Sequence, residues 1–294
     1  ASFLQQYPQA QAADSLATIL NDTTVNLVAS AAIPSERCPL GLKVMAAGKD
    51  YFTDKAPLTT LDQLEDAKAM VAKTGRKYAV YYSERLHVES AVFAGDLVKQ
   101  GAIGQVIQTL GTGPHREGSG RPDWFYERRF FGGILCDIGS HQIEQFLFYT
   151  GNSDARIVAS QVRNVNHPQY PQFEDFGDAM LAGDNGATGY FRCDWFTPGG
   201  LSTWGDGRLT LLGTEGYIEI RKYVDITRGE QDVVYLVNKE GEFRYPVAGK
   251  VGFPYFGQLI LDCIRRTENA MTQEHAFKAA ELCVKAQMRA NANA

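Results

Sequence analysis

A chain that alternates short apolar, β-branched runs with amphipathic helices of about a dozen residues has few folds open to it, and residues 25–101 follow that alternation throughout. VNLVASAA (25–32) is short and continuously apolar, which predicts a buried parallel strand. A helix is expected from Ser35 to about Ala47, with Ser35 as its cap and Gly48 as its stop. KDYFTDKAP (49–57) supplies a second strand ending in charge. Thr60 and Gln63 form a capping box for a helix that carries Leu61, Leu64 and Val71 at helical spacing and stops at Gly75. KYAVYYSE (77–84) is a third strand, and HVESAVFAGDLVKQG (87–101) a further helix. Strands joined by helices of this length pair in parallel.

After Gly104 the pattern changes. QVIQTLGTG reads as a strand, and longer strands, many with period-two alternation, are expected at about 156–165, 175–196, 207–221 and 232–246. FPYFGQLILDCIRRTEN and TQEHAFKAAELCVKAQMRA read as helices, the second capped by Thr272. The chain of 294 residues is long enough for two domains. Residues 1–104 are expected to form an α/β domain and residues 105–294 an α+β domain. The second would have a large, mostly antiparallel open sheet covered by helices, with the last helix packing back on the first domain.

Composition narrows the partners. The net charge of −5 comes from intermixed acids and bases without a basic run, so neither nucleic acid nor an anionic membrane surface is expected as a partner. No window reaches the roughly 18 consecutive apolar residues of a membrane-spanning helix. Five cysteines, odd in number and without CxxC spacing, fit reduced thiols, which points to the cytoplasm.

Two stretches carry chemistry. In TDKAP, Lys55 stands at the carboxyl end of a predicted parallel strand, where open α/β sheets bind ligands; a solvated lysine in a turn is the alternative. In CDIGSHQIEQFLFYTG (136–151), Asp137, His141 and Glu144 fall at i, i+4 and i+7 of a predicted helix and share a face. Proton transfer, a structural role and metal binding all remain open for this trio, with metal disfavoured because Asp137 and Glu144 lie roughly 10 Å apart along the axis and no second histidine is near; no metal ligand is assigned. Arg85 is a candidate for substrate or phosphate, or for a surface pair with Glu84 or Glu89. Trp124 and Trp204 sit among hydrogen-bonding groups, a mixture that suits stacking on a polyol ring as well as packing.

Taken together these motifs resemble the glucose–fructose oxidoreductase/inositol dehydrogenase-type family of NAD(P)-dependent oxidoreductases. The family's EKP signature appears as Asp54-Lys55-Ala56-Pro57, its GGGxLxDxGxHxxD helix as GGILCDIGSHQIEQ (132–145), and its LGTxGxIE strand-turn-strand as LGTEGYIE (212–219). The resemblance implies a Rossmann-type first domain and hydride transfer between NAD or NADP and a sugar, polyol or related hydroxy compound. His141 would exchange the hydroxyl proton, Asp137 would hold the substrate hydroxyl and partner the histidine, and Lys55 would orient substrate beside the nicotinamide. Ala32, Ile33, Pro34 and Glu36, with Lys55 and Pro57, would line the cofactor, and a homo-oligomer through the second-domain sheet is implied.

The fingerprint GxGxxG, with its acidic residue about 20 positions later, is expected upstream of residue 1 and is absent from this sequence. The dinucleotide domain is therefore expected to be incomplete, either in a truncated enzyme or in a protein that does not hold a dinucleotide in the usual way. GTGPHR (111–116) does not replace the fingerprint, because it lacks the third glycine and a following helix. Two other functions stay open: glycoside hydrolysis through bound NAD, and a non-catalytic binding or assembly subunit.

Overall fold

Residues 3–292 are described by a computed structural model. Two short helices, α1 (Phe3–Gln6) and α2 (Leu16–Asn21), precede β1 (Leu27–Ser30), α3 (Pro34–Ala46), β2 (Asp50–Asp54), α4 (Leu61–Thr74) and β3 (Tyr78–Tyr81). β2 lies between β1 and β3 and pairs in parallel with both. The expected βαβ units are therefore present. β1 departs from the buried strand expected: it is an edge strand of half-buried and exposed residues, because only β2 covers one of its flanks. α3 also starts one residue earlier than expected. Pro34 takes its first turn, where a missing N–H is harmless, and neither Ile33 nor Ser35 supplies a side-chain cap. α4 begins as read, with Thr60 Oγ1 accepting from Gln63 N at 3.2 Å, although Gln63 Oε1 accepts from Thr59 N and not from Thr60. Gly75 closes it in the left-handed region at φ 63°.

α5 (Ser83–Leu86) and α6 (Glu89–Lys99) lead to β4 (Val106–Pro114), a 3-10 turn (Asp123–Tyr126), α7 (Arg128–Phe131), α8 (Ile134–Asp137) and α9 (Gly139–Thr150). Seven further strands follow: β5 (Ala155–Arg163), β6 (Phe176–Gly183), β7 (Thr188–Asp194), β8 (Arg208–Gly213), β9 (Gly216–Arg221), β10 (Val233–Asn238) and β11 (Gly241–Pro246). The chain ends in α10 (Tyr255–Arg265) and α11 (Gln273–Ala292). β4 to β11 form one mixed sheet in the order β11-β10-β9-β8-β4-β7-β6-β5, antiparallel except for the β4–β7 pair. Three of the long strands expected from the sequence are hairpins: 175–196 folds as β6–β7, 207–221 as β8–β9 and 232–246 as β10–β11. An unbroken strand over 175–196 would run roughly 70 Å, longer than the domain it serves, so the chain turns at Gly186, whose φ is 87°.

Helices cover one face of this sheet. α9 crosses β4, β6 and β7, while α11 runs along β5, α8 and α9 and also meets α4 and β3. α9 lies low because glycines stand beneath it: a Cβ on Gly111 would sit 2.2 Å from Gln142 Oε1, and one on Gly189 2.6 Å from the Phe146 ring. That close approach sets His141 against the carboxyl end of β4. A continuous apolar core runs from Tyr51, Tyr78 and Leu64 near the parallel sheet through Ile134 and Phe146 to Leu282, so the two sheets are held by one body of packing.

Candidate active site

The carboxyl ends of the three parallel strands face the start of α9 across a cavity of about 390 Å³. Lys55, just past β2, donates from Nζ to Asp137 Oδ1 at 2.6 Å, with both side chains 16% exposed. His141 lines the same cavity and is 2% exposed. Its Nδ1 is sealed off without a partner, which leaves Nε2 as the nitrogen able to meet a ligand. Lysine and histidine from opposite sides of the cleft thus converge, 86 positions apart in sequence.

The helix expected through 136–151 is interrupted. α8 ends at Asp137, and α9 begins at Gly139 after a tight turn in which His141 N donates to Ile138 O at 3.2 Å. Asp137 and His141 both reach the cavity, but Asp137 bonds Lys55; no bond joins it to His141. Glu144 points away, fully buried between Arg85 Nε at 2.7 Å and His275 Nε2 at 2.9 Å. Burial pushes its carboxyl up, and Arg85 and His275 overcome this and hold it at about 2.

Arg85, expected at the substrate, is drawn off by this pairing. It lies over the Phe148 ring at 4.0 Å and lines a separate cavity of about 360 Å³. The residues expected at a cofactor divide. Pro34 and Lys55 line the main cavity. Ala32, Ile33, Glu36 and Pro57 do not: Ala32 O accepts from Arg37 Nε at 2.7 Å, Glu36 is exposed, and Pro57 is buried with its carbonyl accepting from Tyr78 Oη at 2.7 Å. Trp124 and Trp204 both line the main cavity.

Several lining groups escaped the sequence reading. Arg37 reaches from α3 to Lys55 O and to Ala56 O at 3.1 Å, stitching the loops after β1 and β2. Glu84, 1% exposed, accepts from Lys222 Nζ at 2.6 Å and Gln142 Nε2 at 3.0 Å on Oε2, while its Oε1 has no partner. His115 places Nε2 3.9 Å from Glu84 Oε1 and gives Nδ1 to Gly113 O at 3.2 Å. Glu84 follows β3 of the parallel sheet, where the strand-end rule that singled out Lys55 also applies; His115 and Lys222 follow β4 and β9 of the mixed sheet, which that rule does not cover.

The charges in this site fix one another. Burial raises the Glu84 carboxyl, but Lys222, His141 and His115 bring it down to about 2. Burial likewise opposes ionisation of Asp137, and Lys55 then holds it below the ordinary carboxylate range. Burial drives His141 down to about 3, with Glu84 opposing and Lys55 and His115 reinforcing, and burial also lowers His115. At neutral pH Glu84 and Asp137 are therefore ionised beside two neutral imidazoles.

The C-terminal-domain model of the GFO/IDH/MocA family matches residues 93–219. A crystal structure from Erwinia carotovora atroseptica SCRI1043, provisionally named an oxidoreductase, is 62% identical and superposes with a TM-score of 0.96 over 98% of this chain and 87% of that one. The chain belongs to the GFO/IDH/MocA family. Two curated proteins align over shorter spans. The D-xylose dehydrogenase of Paenarthrobacter nicotinovorans is 23% identical over 202 residues, 67% of this chain and 50% of its own length. The scyllo-inositol 2-dehydrogenase (NAD(+)) of Bacillus subtilis (strain 168) is 26% identical over 204 residues, 69% of this chain and 57% of its own. The match thus spans about half the length of these two curated relatives. The matched family segment includes Asp137, His141, Glu144 and His115, whereas Lys55 and Glu84 lie before it.

Proposed function

We propose that this chain carries the catalytic centre of an NAD(P)-dependent oxidoreductase that moves a hydride between a nicotinamide and a secondary alcohol of a sugar, polyol or related hydroxy compound. The observation that carries the reading is the Lys55–Asp137 pair at 2.6 Å beside a buried, neutral His141 in one cavity. The dehydrogenase names of the curated relatives support it. In this reading residues 1–104 serve the dinucleotide, and residues 105–294 serve substrate and self-association.

The residues present fit the ring end of a nicotinamide. Pro34, Lys55 and Ser83 stand at the carboxyl ends of the three parallel strands and rim the cavity, the place where open α/β sheets take nucleotides. Among the described residues no glycine-rich turn opens a helix at this rim, so nothing is assigned to the phosphates. When bound, the nicotinamide supplies the hydride acceptor. Lys55 donates to the substrate oxygen as negative charge develops there, and Asp137 keeps the ammonium in place. His141 accepts the hydroxyl proton at Nε2.

Incubation with NAD or NADP and a panel of aldoses, polyols and their acids is expected to raise the absorbance of the reduced nicotinamide. Silence across the panel from a folded sample counts against the reading, and aglycone released from a glycoside with no net cofactor reduction would move it to hydrolysis.

Self-association through the uncovered face of the mixed sheet belongs to the same proposal. Met180, Tyr190 and Leu110 stand opposite one another on β6, β7 and β4, each more than a third exposed. A second copy covering this row would remove it from water. Sedimentation velocity is expected to give at least twice the chain mass, and Tyr190→Lys to give the monomer; a native monomer refutes this part. All five cysteines are free thiols and four are buried, which supports the cytoplasm as the working compartment. Among the described residues no helix is long and apolar enough to cross a membrane.

A further inference from the structure

The aromatic side of the main cavity is carried by connecting segments and not by the sheet. All three tryptophans of the chain line it: Trp124 on the 3-10 turn, Trp195 just past β7, and Trp204 further along the connection to β8. The three are not equivalent. Trp195 is 7% exposed and packs edge-on against Phe125 at 5.2 Å, Trp124 is half-buried, and Trp204 is 46% exposed. Packing accounts for the first two. It does not account for Trp204, since a tryptophan used as an anchor loses most of its surface to its neighbours.

Trp204 is open to the cavity, yet its backbone is held. Residues 195–207 form neither helix nor strand, and Phe196, Pro198, Gly199, Gly200 and Ser202 are exposed, so this loop has little packing of its own. Arg116, two residues past β4, is its template. Its Nη2 directs protons at three loop carbonyls, Pro198 O at 3.0 Å, Leu201 O at 2.5 Å and Thr203 O at 3.1 Å. Its backbone N donates to Trp204 O at 2.9 Å, and Thr197 N donates to His115 O at 3.1 Å. Just after Trp204 the chain lies flat on the end of β4: a Cβ on Gly205 would sit 1.8 Å from Pro114 O. The indole then stands edge-on to His115 at 6.2 Å, beside the Arg121 guanidinium at 5.3 Å. A planar guanidinium serves several carbonyls in one fixed geometry, which the point charge of a lysine does not.

A ring-closed sugar carries hydroxyls around its edge and C–H bonds on its faces. The cavity is divided in the same way, with Lys55, Asp137 and His141 to meet hydroxyls and an open indole to meet C–H bonds. An open-chain polyol presents a flat C–H face only after its carbon–carbon torsions are frozen, which costs binding free energy that a ring has already met in its synthesis. We propose that Trp204 determines specificity as a platform for the C–H face of a ring-closed sugar or cyclitol, and that Arg116 is the positioning residue that holds the platform. The approach of a hydroxyl to Lys55 and His141 rests on the oxidoreductase reading above; the platform rests on the loop alone. A cavity of about 390 Å³ accommodates a single sugar ring.

Binding of D-glucose, D-xylose and myo-inositol, against the open chains D-glucitol and xylitol, is measured by titration calorimetry with and without saturating NADH, alongside nicotinamide reduction. At least one ring is expected to bind about tenfold more tightly than either open chain. Trp204→Ala, at an exposed position, should fold and should weaken that ring by about 3- to 10-fold and the open chains far less. Trp204→Phe should keep part of the preference. Arg116→Ala should reproduce the Trp204→Ala loss, in KM and not in kcat, and should raise quenching of tryptophan fluorescence by acrylamide; Arg116→Lys should recover little. A merely structural Arg116 would weaken rings and chains alike. No ring binding, equal binding of rings and chains by the native protein, or equal loss of both in Trp204→Ala overturns the proposal, and native ring affinity in Arg116→Ala overturns its positioning half. Ring binding that depends on Trp204 with no cofactor reduction leaves it standing and removes the redox reading. Cofactor reduction by rings and chains alike, indifferent to Trp204→Ala, does the reverse.

Discussion

Lys55→Met and His141→Gln are each expected to lower kcat/KM for alcohol oxidation by on the order of 100- to 10 000-fold, with the far-ultraviolet circular dichroism unchanged. The two losses should differ in kind. Lys55 faces the oxygen on which charge accumulates, so its removal should act mainly on kcat and equally at every pH. His141 takes the proton, so its replacement should make the rate climb with pH as solvent hydroxide substitutes for the imidazole. The native profile follows from what surrounds His141: Glu84 on α5, Lys55 after β2, His115 after β4, Lys222 after β9 and Asp137 on α8. Burial is the largest influence and brings the imidazole down to about 3; Glu84 opposes, and Lys55, His115 and Lys222 add to the fall. A base lowered that far is already deprotonated across neutral pH and is lost only as pH drops toward 3. Native kcat/KM for oxidation is therefore expected to pass through pH 6.5 without a bend. A bend there that disappears in His141→Gln would contradict this charge state, and wild-type rates in both variants would remove the catalytic assignment.

What the sequence disclosed and what it hid follow from the range of the interactions. The βαβ alternation and the α4 caps are local, written in residues three or four apart, and they were legible. Lys55 and His141 stood out because each sits in a short motif. The hairpins were misread as long strands because turn residues such as Asn185-Gly186 interrupt an alternation that resumes on the far side in the same register. The break at Ile138 could not be read, because its backbone angles are helical and only the hydrogen-bond pattern separates α8 from α9. Arg85 looked like a ligand contact, but the fold closes it and His275, 190 positions further on, around the carboxylate of Glu144, which lies 59 positions beyond Arg85. Glu84 and Lys222 are 138 positions apart and carry no local signature, so only the fold shows that they meet.

That pair yields a large expected effect on stability. Lys222 has a fully buried side chain, and that of Glu84 is buried as well, so each charge relies on the other for what water would otherwise supply. Lys222→Met removes the counter-charge and leaves the carboxylate buried between Gln142 and two neutral imidazoles. Breaking a buried pair from one side costs about 3–5 kcal/mol, which for a chain of this size lowers the thermal midpoint by on the order of 10 °C. Glu84→Gln/Lys222→Met discards both charges together and is expected to regain most of that loss, because neither group then demands solvation. Acid separates the variants further. The folded-state carboxyl of Glu84 is depressed to about 2 from an ordinary 4.5, so its contribution is complete above pH 4.5 and fades as pH falls toward 2. The double variant lacks this component, so its midpoint should depend less on pH across that window than the native protein's. Circular-dichroism melts of the three proteins between pH 3 and pH 7 decide the matter. If Lys222→Met melts with the native protein, or the double variant melts as low as the single one, the buried charge under His141 does not hold this site together.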